Sequence, residues 1–552
     1  MVYHMGMFIR TTSRRNVDGS TVTYVQLAHN QWDPQARCAK AKILYNFGRA
    51  EQVDQEALKR LVGSITRFLG PEEALALQSN EALSFQQCHP WGGSWALDQL
   101  WRELGLPKII SRLAASRKFQ APLERLLFGL VANRALDPAS KRSAAEWLRE
   151  DVVIEGLDPS SVQLQSLYRV MDFLLETQSE LEHQVYCSVV DLLNLEVDLL
   201  YFDTTSTYFQ VEDVSQDDLR QRGHSKDHRP DLPQVVIGLA VTREGIPIRS
   251  WVWPGQTADV SVVEQVKRDL VGWKLGRVIS VVDRGFTSEK NLKALQRTGG
   301  HYIAGEKLRD GKGRTEEALS RPGRYHTVRD NLEVKEILLG EGEARLRYIL
   351  VRNPQQVERD RAKREELLLE LEGELTRLGQ PQQKGYSKGH CALISHPRYG
   401  RFLKLDTEKG KLSIDKEKVK EEERLDGKYL LRTSDDTLSP EDIALGYKQL
   451  LLVEASFRSL KTSLELRPVT HRLEDRIRAH VLLCWLALLL VRLAENRSGQ
   501  TWRRIRQTLG QVYLGKFQGS AGTLWQRNEL SQEQESLFKS LRIPPPPKIS
   551  HI

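Results

Sequence analysis

Short apolar runs and longer helical patterns alternate along the chain and divide it into stretches of different character. The first 70 residues mix strand-like runs with a helical pattern in which Leu58, Leu61, Val62 and Ile65 share one face. From residue 91 to residue 195 the apolar positions follow helical spacing. This pattern predicts an α+β region at the start of the chain and a helical domain after it.

The period of the pattern changes at Val197, where strands become the main element. VDLLYFD is a short apolar run that ends in an acid, and VVIGLAVT, IPIRSWVW, VISVVD and HYIAG are further strand-like runs. Two helical stretches, SVVEQVKRDL and EKNLKALQRTG, lie between the later runs. The order strand, strand, strand, helix, strand, helix, strand predicts a mixed sheet covered by helices.

The residues that follow Gly305 break this pattern. Their apolar content is low, and no tryptophan lies between Trp273 and Trp485. We interpret them as an insertion with a modest fold of its own. The strand KYLLRT then returns, where we expect it at the edge of the sheet, and a helix opens at Ser439-Pro440-Glu441.

Composition and charge restrict the class of protein without giving its function. Hydrophobic residues make up 40% and charged residues 28% of the chain, as in soluble globular proteins. The 81 lysines and arginines exceed the 73 acids by only 8, which permits a polyanionic partner but does not require one. Five cysteines without a CxxC pair argue against a disulfide framework or a zinc ribbon.

Two features predict a cytoplasmic protein that does not cross a membrane. The first residues contain no apolar signal-peptide core. The most apolar run, Val481 to Val491, is shorter than the roughly 20 residues that span a bilayer. We therefore expect a buried helix at this run.

Two of the apolar strands each end in an aspartate, Asp203 in YFDTTSTYF and Asp283 in VVDRGF. A carboxylate at the end of a buried strand is costly unless a metal, a cation or hydrogen bonds compensate its charge. If the two strands are neighbours in one sheet, both carboxylates meet and offer the oxygen ligands that Mg²⁺ prefers. Two capping aspartates in ordinary turns would give the same pattern, but their pairing on successive apolar strands favours a metal site.

A third acid, Glu454, lies in GYKQLLLVEASFRSLK, which predicts one helix. Tyr447, Glu454 and Lys461 are seven residues apart and would share a stripe, with Arg458 on the same face. One interpretation is a solvated face with a Glu–Arg pair. The other is that Glu454 is a metal ligand and that Arg458, Lys461 and Tyr447 bind phosphates.

These motifs resemble those of the DDE transposases of bacterial insertion sequences, in the cut-and-paste branch that carries a β-rich insertion inside an RNase H-like core. The resemblance rests on YFDTTSTYF, VVDRGF and YKQLLLVEASFRSLKTSLELRPVTHR, and it covers about residues 199 to 472. The family motif has a tyrosine seven residues before its glutamate, an arginine four before it and a lysine seven after it. Tyr447 and Lys461 match this motif, whereas Leu450 stands at the arginine position.

The resemblance implies a fold and a mechanism. The implied fold is an α/β protein with an RNase H-like mixed-sheet catalytic core, an α+β insertion within it, an α+β N-terminal region and helical flanking regions. Asp203, Asp283 and Glu454 would be the catalytic residues and would hold two Mg²⁺ (or Mn²⁺) ions. The implied reaction is cleavage at transposon ends and strand transfer into target DNA.

The implied partners are the terminal inverted repeats of a transposon, its target DNA and a second copy of the chain in a homodimer. We expect a bacterial cytoplasmic location, at the nucleoid. The predicted stretches are an N-terminal α+β region and candidate for DNA binding (1–75), a helical domain and candidate for binding DNA ends (76–195), the first part of the catalytic core (196–308), the insertion (309–427), the second part of the core (428–495) and a C-terminal helical tail (496–552).

Arg284 and His228 complete the predicted DNA contacts. Arg284 follows the second aspartate and would either bind phosphate or balance the acids locally. His228 lies four residues after His224 in GHSKDHRPD, a segment that also looks like part of the family pattern. This histidine spacing is compatible with a zinc site, a DNA or active-site contact, or an ordinary polar loop, and the prolines argue against zinc.

Two other functions are compatible with the same motifs. An RNase H-like structure-specific nuclease would use the three acids without strand transfer. A non-catalytic DNA-binding relic of a transposase would keep only the binding surface. The presence of all three acids argues against the relic.

Overall fold

The computed structural model describes the chain at residues 7–16, 20–33, 38–69, 84–117, 122–193, 199–211, 214–215, 217–271, 273, 278–309, 313–342, 345–378, 388–406, 411–519 and 522–550. The chain forms two compact units. The smaller unit contains Met1–Gln86 with Lys516–Leu524, and the larger contains Gln87–Gly515 with Trp525–Ile552. The six predicted stretches divide the chain more finely than this and stay a prediction.

The smaller unit begins with a three-stranded antiparallel sheet in the order β1-β2-β3. Its elements are β1 (Met7–Arg15), β2 (Thr21–Asp33), β3 (Cys38–Arg49) and the helix α1 (Gln55–Leu69). The mixture of strands and a helix predicted for the first 70 residues is therefore confirmed.

Helices make up the first part of the larger unit, as the helical spacing of its apolar residues predicts. After β4 (Ser84–Pro90), whose first three residues belong to the smaller unit, the helices are α2 (Gly92–Glu103), α3 (Leu106–Ala114), α4 (Leu123–Leu136), α5 (Lys141–Glu150), α6 (Leu164–Glu176) and α7 (Gln178–Leu193). Their buried leucines, valines and tryptophans belong to the same hydrophobic core as one face of the main sheet.

The next elements follow the predicted order of strands and helices. They are β5 (Leu199–Tyr208), β6 (Gln234–Val241), β7 (Pro247–Pro254), α8 (Asp259–Val271), β8 (Ile279–Val282), α9 (Glu289–Gln296) and β9 (His301–Glu306). β8 pairs in parallel with both β5 and β9, whereas β6 is antiparallel to β5 and β7. β6 is buried along its whole length, as its unbroken apolar sequence predicts.

Three strands of the predicted insertion continue the main sheet, and two others form a separate two-stranded sheet. The elements are α10 (Gly313–Ser320), β10 (His326–Arg329), β11 (Leu332–Leu339), β12 (Leu346–Arg352), α11 (Pro354–Leu378), α12 (Lys388–Ile394), β13 (Leu403–Asp406), β14 (Lys411–Ile414), α13 (Lys416–Glu423) and β15 (Lys428–Thr433). The nine-stranded order is β10-β11-β12-β15-β9-β8-β5-β6-β7. The predicted edge position of KYLLRT, which is β15, is therefore wrong, because β12 pairs along its second side.

Helices and short strands make up the rest of the described chain. They are α14 (Pro440–Lys448), α15 (Leu451–Thr462), α16 (Glu474–Ser498), α17 (Trp502–Leu509), β16 (Tyr513–Gly519), β17 (Gly522–Arg527), α18 (Gln532–Leu541) and β18 (Ile549–Ser550). Among the described residues, α16 alone is long and apolar enough to cross a membrane, but 89% of its apolar window is buried within the protein. It packs on α4, α6 and β7, which confirms the predicted buried helix.

Candidate active site

Asp203 and Asp283 lie on adjacent strands of the main sheet. The predicted position of Asp203 at the end of its strand is wrong, because β5 continues beyond it to Tyr208, whereas Asp283 directly follows the last residue of β8. The parallel strands β5 and β8 pair from Leu199 with Ile279 up to Phe202 with Val282. The next residue on each strand is the aspartate. Because neighbouring strands lie about 4.8 Å apart, this parallel register brings the two aspartates next to each other in the interior of the sheet.

The carboxyl group of Asp203 lies in a poorly solvated environment. Its side chain is 20% exposed, and Oδ1 accepts a hydrogen bond from the Thr204 backbone at 2.7 Å. Burial raises the pKa of Asp203 to about 6, although Lys226 opposes the shift, and the charges of Asp283 and Asp259 raise it further. The charged form is therefore costly here and is stabilised by any cation that approaches it.

A lysine from the loop between β5 and β6 supplies a cation beside these acids. The Lys226 ammonium lies 3.7 Å from Asp203 Oδ1 and 3.1 Å from Asp259 Oδ2, and donates to the Thr204 carbonyl and hydroxyl at 2.8 Å each. The Thr204 hydroxyl in turn donates to Asp259 Oδ1 at 2.5 Å. Asp259 also borders the turn after Asp283, since a Cβ on Gly285 would lie 3.7 Å from its Oδ2.

Tyr447 contacts the second aspartate directly. Its hydroxyl donates to Asp283 Oδ1 at 2.9 Å, and its ring stacks on Tyr429 with centroids 5.8 Å apart. Burial and the Asp283 carboxylate raise the pKa of Tyr447 far above its ordinary value, so it stays a hydrogen-bond donor. Tyr447 therefore orients Asp283.

The predicted stripe of Tyr447, Glu454 and Lys461 on one helix is wrong. The helix is interrupted, with α14 ending at Lys448 and α15 beginning at Leu451. Between them the backbone makes i→i−3 hydrogen bonds, from Gln449 to Gly446 and from Leu450 to Tyr447. This tighter turn changes the direction in which the side chains on either side point.

Glu454 is exposed on α15, the helix (Leu451–Thr462) that packs on β5 and β6. The buried side of this helix consists of Val453, Ser456, Phe457 and Leu460. Among the described residues, no group of three or more His, Cys, Asp or Glu is arranged to hold a metal ion. The structure therefore brings Asp203 and Asp283 together but does not bring Glu454 into the same group, and it gives no support to zinc at His224 and His228.

The other predicted contacts differ in their exposure and pairing. Lys461 donates to Asp227 Oδ1 at 2.8 Å, so its charge is already partnered. Arg458 and Arg284 are exposed. His228 is exposed as well and has a left-handed backbone, with φ of 57°.

Lys226, Asp227 and Asp259 were not predicted from the sequence. Lys226 and Asp227 lie in GHSKDHRPD, where the spacing of the two histidines was the feature that indicated a binding site. Asp259 opens α8 (Asp259–Val271), where an acid is expected from helix capping alone. Their contacts join positions 22 or more residues apart, which no local pattern reveals.

Comparison with known proteins decides the family of the chain. Residues 9–76 match the family model of the IS1634 family transposase, N-terminal domain. Residues 207–490, just over half of the chain, match the transposase DDE domain. The chain is a DDE transposase. The resemblance to transposases of insertion sequences is thereby confirmed, and with it DNA transposition as the activity.

Other comparisons add little to the identity of this transposase. Among curated proteins none matches it. A cryo-EM structure of the piggyBac transposase synaptic complex with hairpin DNA shares 11% identity and covers 73% of this chain and 75% of that chain. Its TM-score of 0.32 is too low to establish a common fold.

Membership of the DDE family implies that the transposase binds DNA and depends on divalent metal ions. The described residues fit this dependence at Asp203 and Asp283, because they are hard oxygen donors next to each other on adjacent strands. The Lys226 ammonium, 3.7 Å from Asp203 Oδ1, shows that a positive charge is accommodated beside this acid. A divalent ion is therefore compatible with this pair of acids.

Proposed function

We propose that the transposase cleaves DNA at transposon ends and transfers the freed ends into target DNA at a site built on Asp203, Asp283 and Glu454. The observation that carries this proposal is the shared register of β5 and β8, which brings two acids from separate strands to one point. Glu454 joins them in the proposal on the strength of its motif and its helix, which packs on β5.

We assign the catalytic core to the RNase H-like class. Across the sheet, its five strands lie in the order β7-β6-β5-β8-β9. β6 is antiparallel to both β5 and β7, whereas β5, β8 and β9 are parallel to one another. This arrangement supports the assignment, with the remaining strands added beyond β9.

The proposed cofactor is a pair of Mg²⁺ or Mn²⁺ ions held by Asp203, Asp283 and Glu454. Bound there, the ions would activate water or a 3′-hydroxyl and stabilise the leaving oxygen of an in-line displacement. The residues of the chain prepare the site. Tyr447 holds Asp283 through its hydroxyl, and Lys226 reduces the repulsion between the acids.

The proposed DNA contacts differ in whether each side chain is exposed or already bound to an acid of the protein. Arg284 and Arg458 are exposed and available for phosphates beside the acids. Lys461 is held by Asp227, and Tyr447 is engaged with Asp283, so they act first on the shape of the site. His228 is exposed on the loop that carries Lys226 and is the fifth proposed contact.

The proposed partners are the terminal inverted repeats, target DNA and a second copy of the chain, because two ends are processed together. Residues 1–75 and 76–195 remain the proposed regions for DNA and DNA-end binding. We also propose a cytoplasmic location at the nucleoid, where such DNA lies.

Asp203→Asn and Asp283→Asn test the proposal. Each change keeps the shape of the side chain but removes its charge, so metal-dependent cleavage of a labelled transposon end should fall to background. Binding of the same end in EDTA should stay within about twofold of the wild type, since neither acid is proposed to bind DNA. Asp330→Asn, at an exposed turn, is the matched control and should cleave normally.

Cleavage that survives either substitution would refute the proposed site. Glu454→Gln in the same assay decides whether the third acid belongs to it. A pre-cut end then separates a transposase from a structure-specific nuclease, because only the former joins its 3′-hydroxyl to target DNA.

A further inference from the structure

A pocket of about 610 Å³ lies beside the end of β5 (Leu199–Tyr208), away from the acids. Half of the twelve residues that line it are tyrosine, phenylalanine, arginine or lysine: Tyr208, Phe209, Arg220, Lys461, Arg467 and Arg472. We call it the basic pocket. All of these residues belong to the larger unit.

Two of its arginines are fixed in place before any ligand binds. Arg467 lies over the Tyr208 ring at 4.9 Å from its centroid and pairs with Asp227 at 3.1 Å. Arg220 lies over the Phe209 ring at 5.7 Å and donates from Nε and one terminal nitrogen to Asp218. Because the two guanidiniums are already ordered, a ligand that binds them pays little for ordering them.

The lining keeps a surplus of positive charge after this pairing. Arg220, Lys461, Arg467 and Arg472 bring four cations, and Asp218 and Asp227 offset two of them, which leaves two. Arg472 is exposed and makes no ion pair within the described part of the chain. Burial lowers the pKa of His471 to about 4, so this neighbour is neutral at pH 7.

The chemistry of the pocket favours phosphate over a base. Planar guanidiniums with free N–H groups match the oxygens of a phosphodiester. The Tyr208 ring already carries two guanidiniums, those of Arg229 and Arg467, and these contacts compete with base stacking. Such a pocket recognises the DNA backbone, without regard to sequence.

Its distance from the acids fixes which part of the DNA it reaches. Tyr208 lies five residues beyond Asp203 on the same strand, which is about 17 Å at 3.3 Å per residue. One strand of B-DNA advances about 3.4 Å per nucleotide. For a duplex whose axis runs along β5, the pocket therefore faces phosphates about five nucleotides from the position of the acids.

We propose that the basic pocket binds backbone phosphates about five nucleotides from the point of cleavage, and that it holds the DNA in place for the acids. This inference rests on the proposed function in one respect, because the five nucleotides are counted from the position at which the proposed catalytic acids cleave. Binding itself needs no metal ion and no cleavage.

The test measures binding of a duplex with the terminal inverted repeat that flanks the gene, in EDTA, over a range of salt concentrations. Arg472→Ala and Arg220→Ala should each weaken binding three- to tenfold at about 0.1 M salt. The logarithm of the DNA-binding constant falls linearly with the logarithm of the salt concentration. Each lost phosphate contact should make this slope less steep by about 0.9. Arg377→Ala, at a side chain 81% exposed on α11, is the matched control and should leave the slope unchanged.

Single neutral methylphosphonate linkages then locate the contact. The wild type should bind a duplex less well when the neutral linkage lies about five nucleotides from the cleavage position, whereas Arg472→Ala should no longer respond to it. An unchanged slope in both variants, or an unchanged methylphosphonate profile, would overturn the proposal. Arg472 is exposed, so loss of folding does not obscure its result.

The two proposals fail separately. If Asp203→Asn abolishes cleavage and the slopes do not change, only the basic pocket is wrong. If Asp203→Asn still cleaves while the slopes fall as expected, the catalytic assignment is wrong and the pocket is a DNA-binding site of another centre.

Discussion

At the scale of single residues, the position of Tyr447 depends on a glycine opposite it. A Cβ on Gly305 would lie 2.2 Å from the Tyr447 hydroxyl oxygen and 2.9 Å from its Cζ. Gly305 lies on β9 and pairs with Leu431 of β15, so its backbone cannot move away easily. The hydrogen bond from Tyr447 to Asp283 therefore requires a residue without a side chain at position 305.

Gly305→Ala should displace Tyr447 and release Asp283. We expect cleavage of a transposon end to fall at least about tenfold and the free energy of unfolding to fall by about 1–3 kcal/mol, since the added methyl overpacks the site. Cleavage kinetics and urea unfolding measure the two effects. Gly373→Ala is the matched control, because nothing lies within 4 Å of its Cβ in the helix α11, and it should raise helix stability by about 0.5–1 kcal/mol. Normal cleavage by Gly305→Ala would contradict the role given to Tyr447.

Single residues were predictable where the strand pattern marked them. An acid that follows an apolar run stands out, and the pattern predicts both Asp203 and Asp283 in that way, although β5 continues beyond Asp203 to Tyr208. Lys226 was not, because its ammonium reaches the acids across a loop and no periodicity links it to Thr204. The catalytic roles of these residues stay predictions.

At the scale of elements, the order of strands and helices in the core followed from the sequence. The unbroken apolar runs gave β5 to β9, with their two helices in place. Two expectations failed for physical reasons that lie outside the local pattern. The position of β15 depends on β12, which pairs with it from 76 or more residues away, and the break between α14 and α15 depends on short-range turns around Gln449.

The contact between α7 (Gln178–Leu193) and β7 (Pro247–Pro254) contains a buried acid that responds to pH. The Glu182 carboxylate is fully buried and accepts from the Ser250 backbone at 3.0 Å and hydroxyl at 3.2 Å. Burial raises its pKa to about 7, although Arg249 lies 3.6 Å from it. In the unfolded chain the same group titrates near 4.5.

This shift predicts the sign of a pH effect on stability. Above about pH 4.5 the unfolded chain loses the Glu182 proton while the folded chain keeps it, so the free energy of unfolding should fall by up to about 3 kcal/mol as pH rises to about 7. Glu182→Gln should lack this contribution. Urea unfolding of both proteins at pH 5 and pH 8 measures it as the difference between them. Glu180→Gln, exposed on the same helix, is the control and should show the same pH dependence of stability as the wild type. If Glu182→Gln also shows the wild-type pH dependence, Glu182 is not its cause.

At the scale of the whole molecule, the helices before the sheet and the sheet itself share one hydrophobic core. Buried residues of α4 and α6 belong to the same cluster as Leu199 and Ile279 of the main sheet. The helix α16 packs against both parts. The sequence predicted α16 as buried but gave no partner for it, because its apolar residues surround the whole helix.

Leu486→Ala should therefore weaken both parts together. Leu486 is fully buried in α16, and its truncation should cost about 2–5 kcal/mol of unfolding free energy. Hydrogen exchange should become faster to the same extent in peptides from α4 and from β5, because their protection depends on one core. Leu451→Ala, at a side chain 57% exposed, is the control and should change neither. Faster exchange in only one of the two would show that they unfold separately.

The ammonium of Lys226 bears on how DNA first approaches the site. Asp203, Asp259 and Asp283 alone would present three negative charges to a polyanion, and their field would oppose the arrival of a phosphate. Lys226 offsets part of that charge through its contacts with Asp203 and Asp259, and the exposed Arg284 adds a second cation next to Asp283. The transposase thus carries its own counterion, which lowers the electrostatic barrier to encounter before any metal ion is involved.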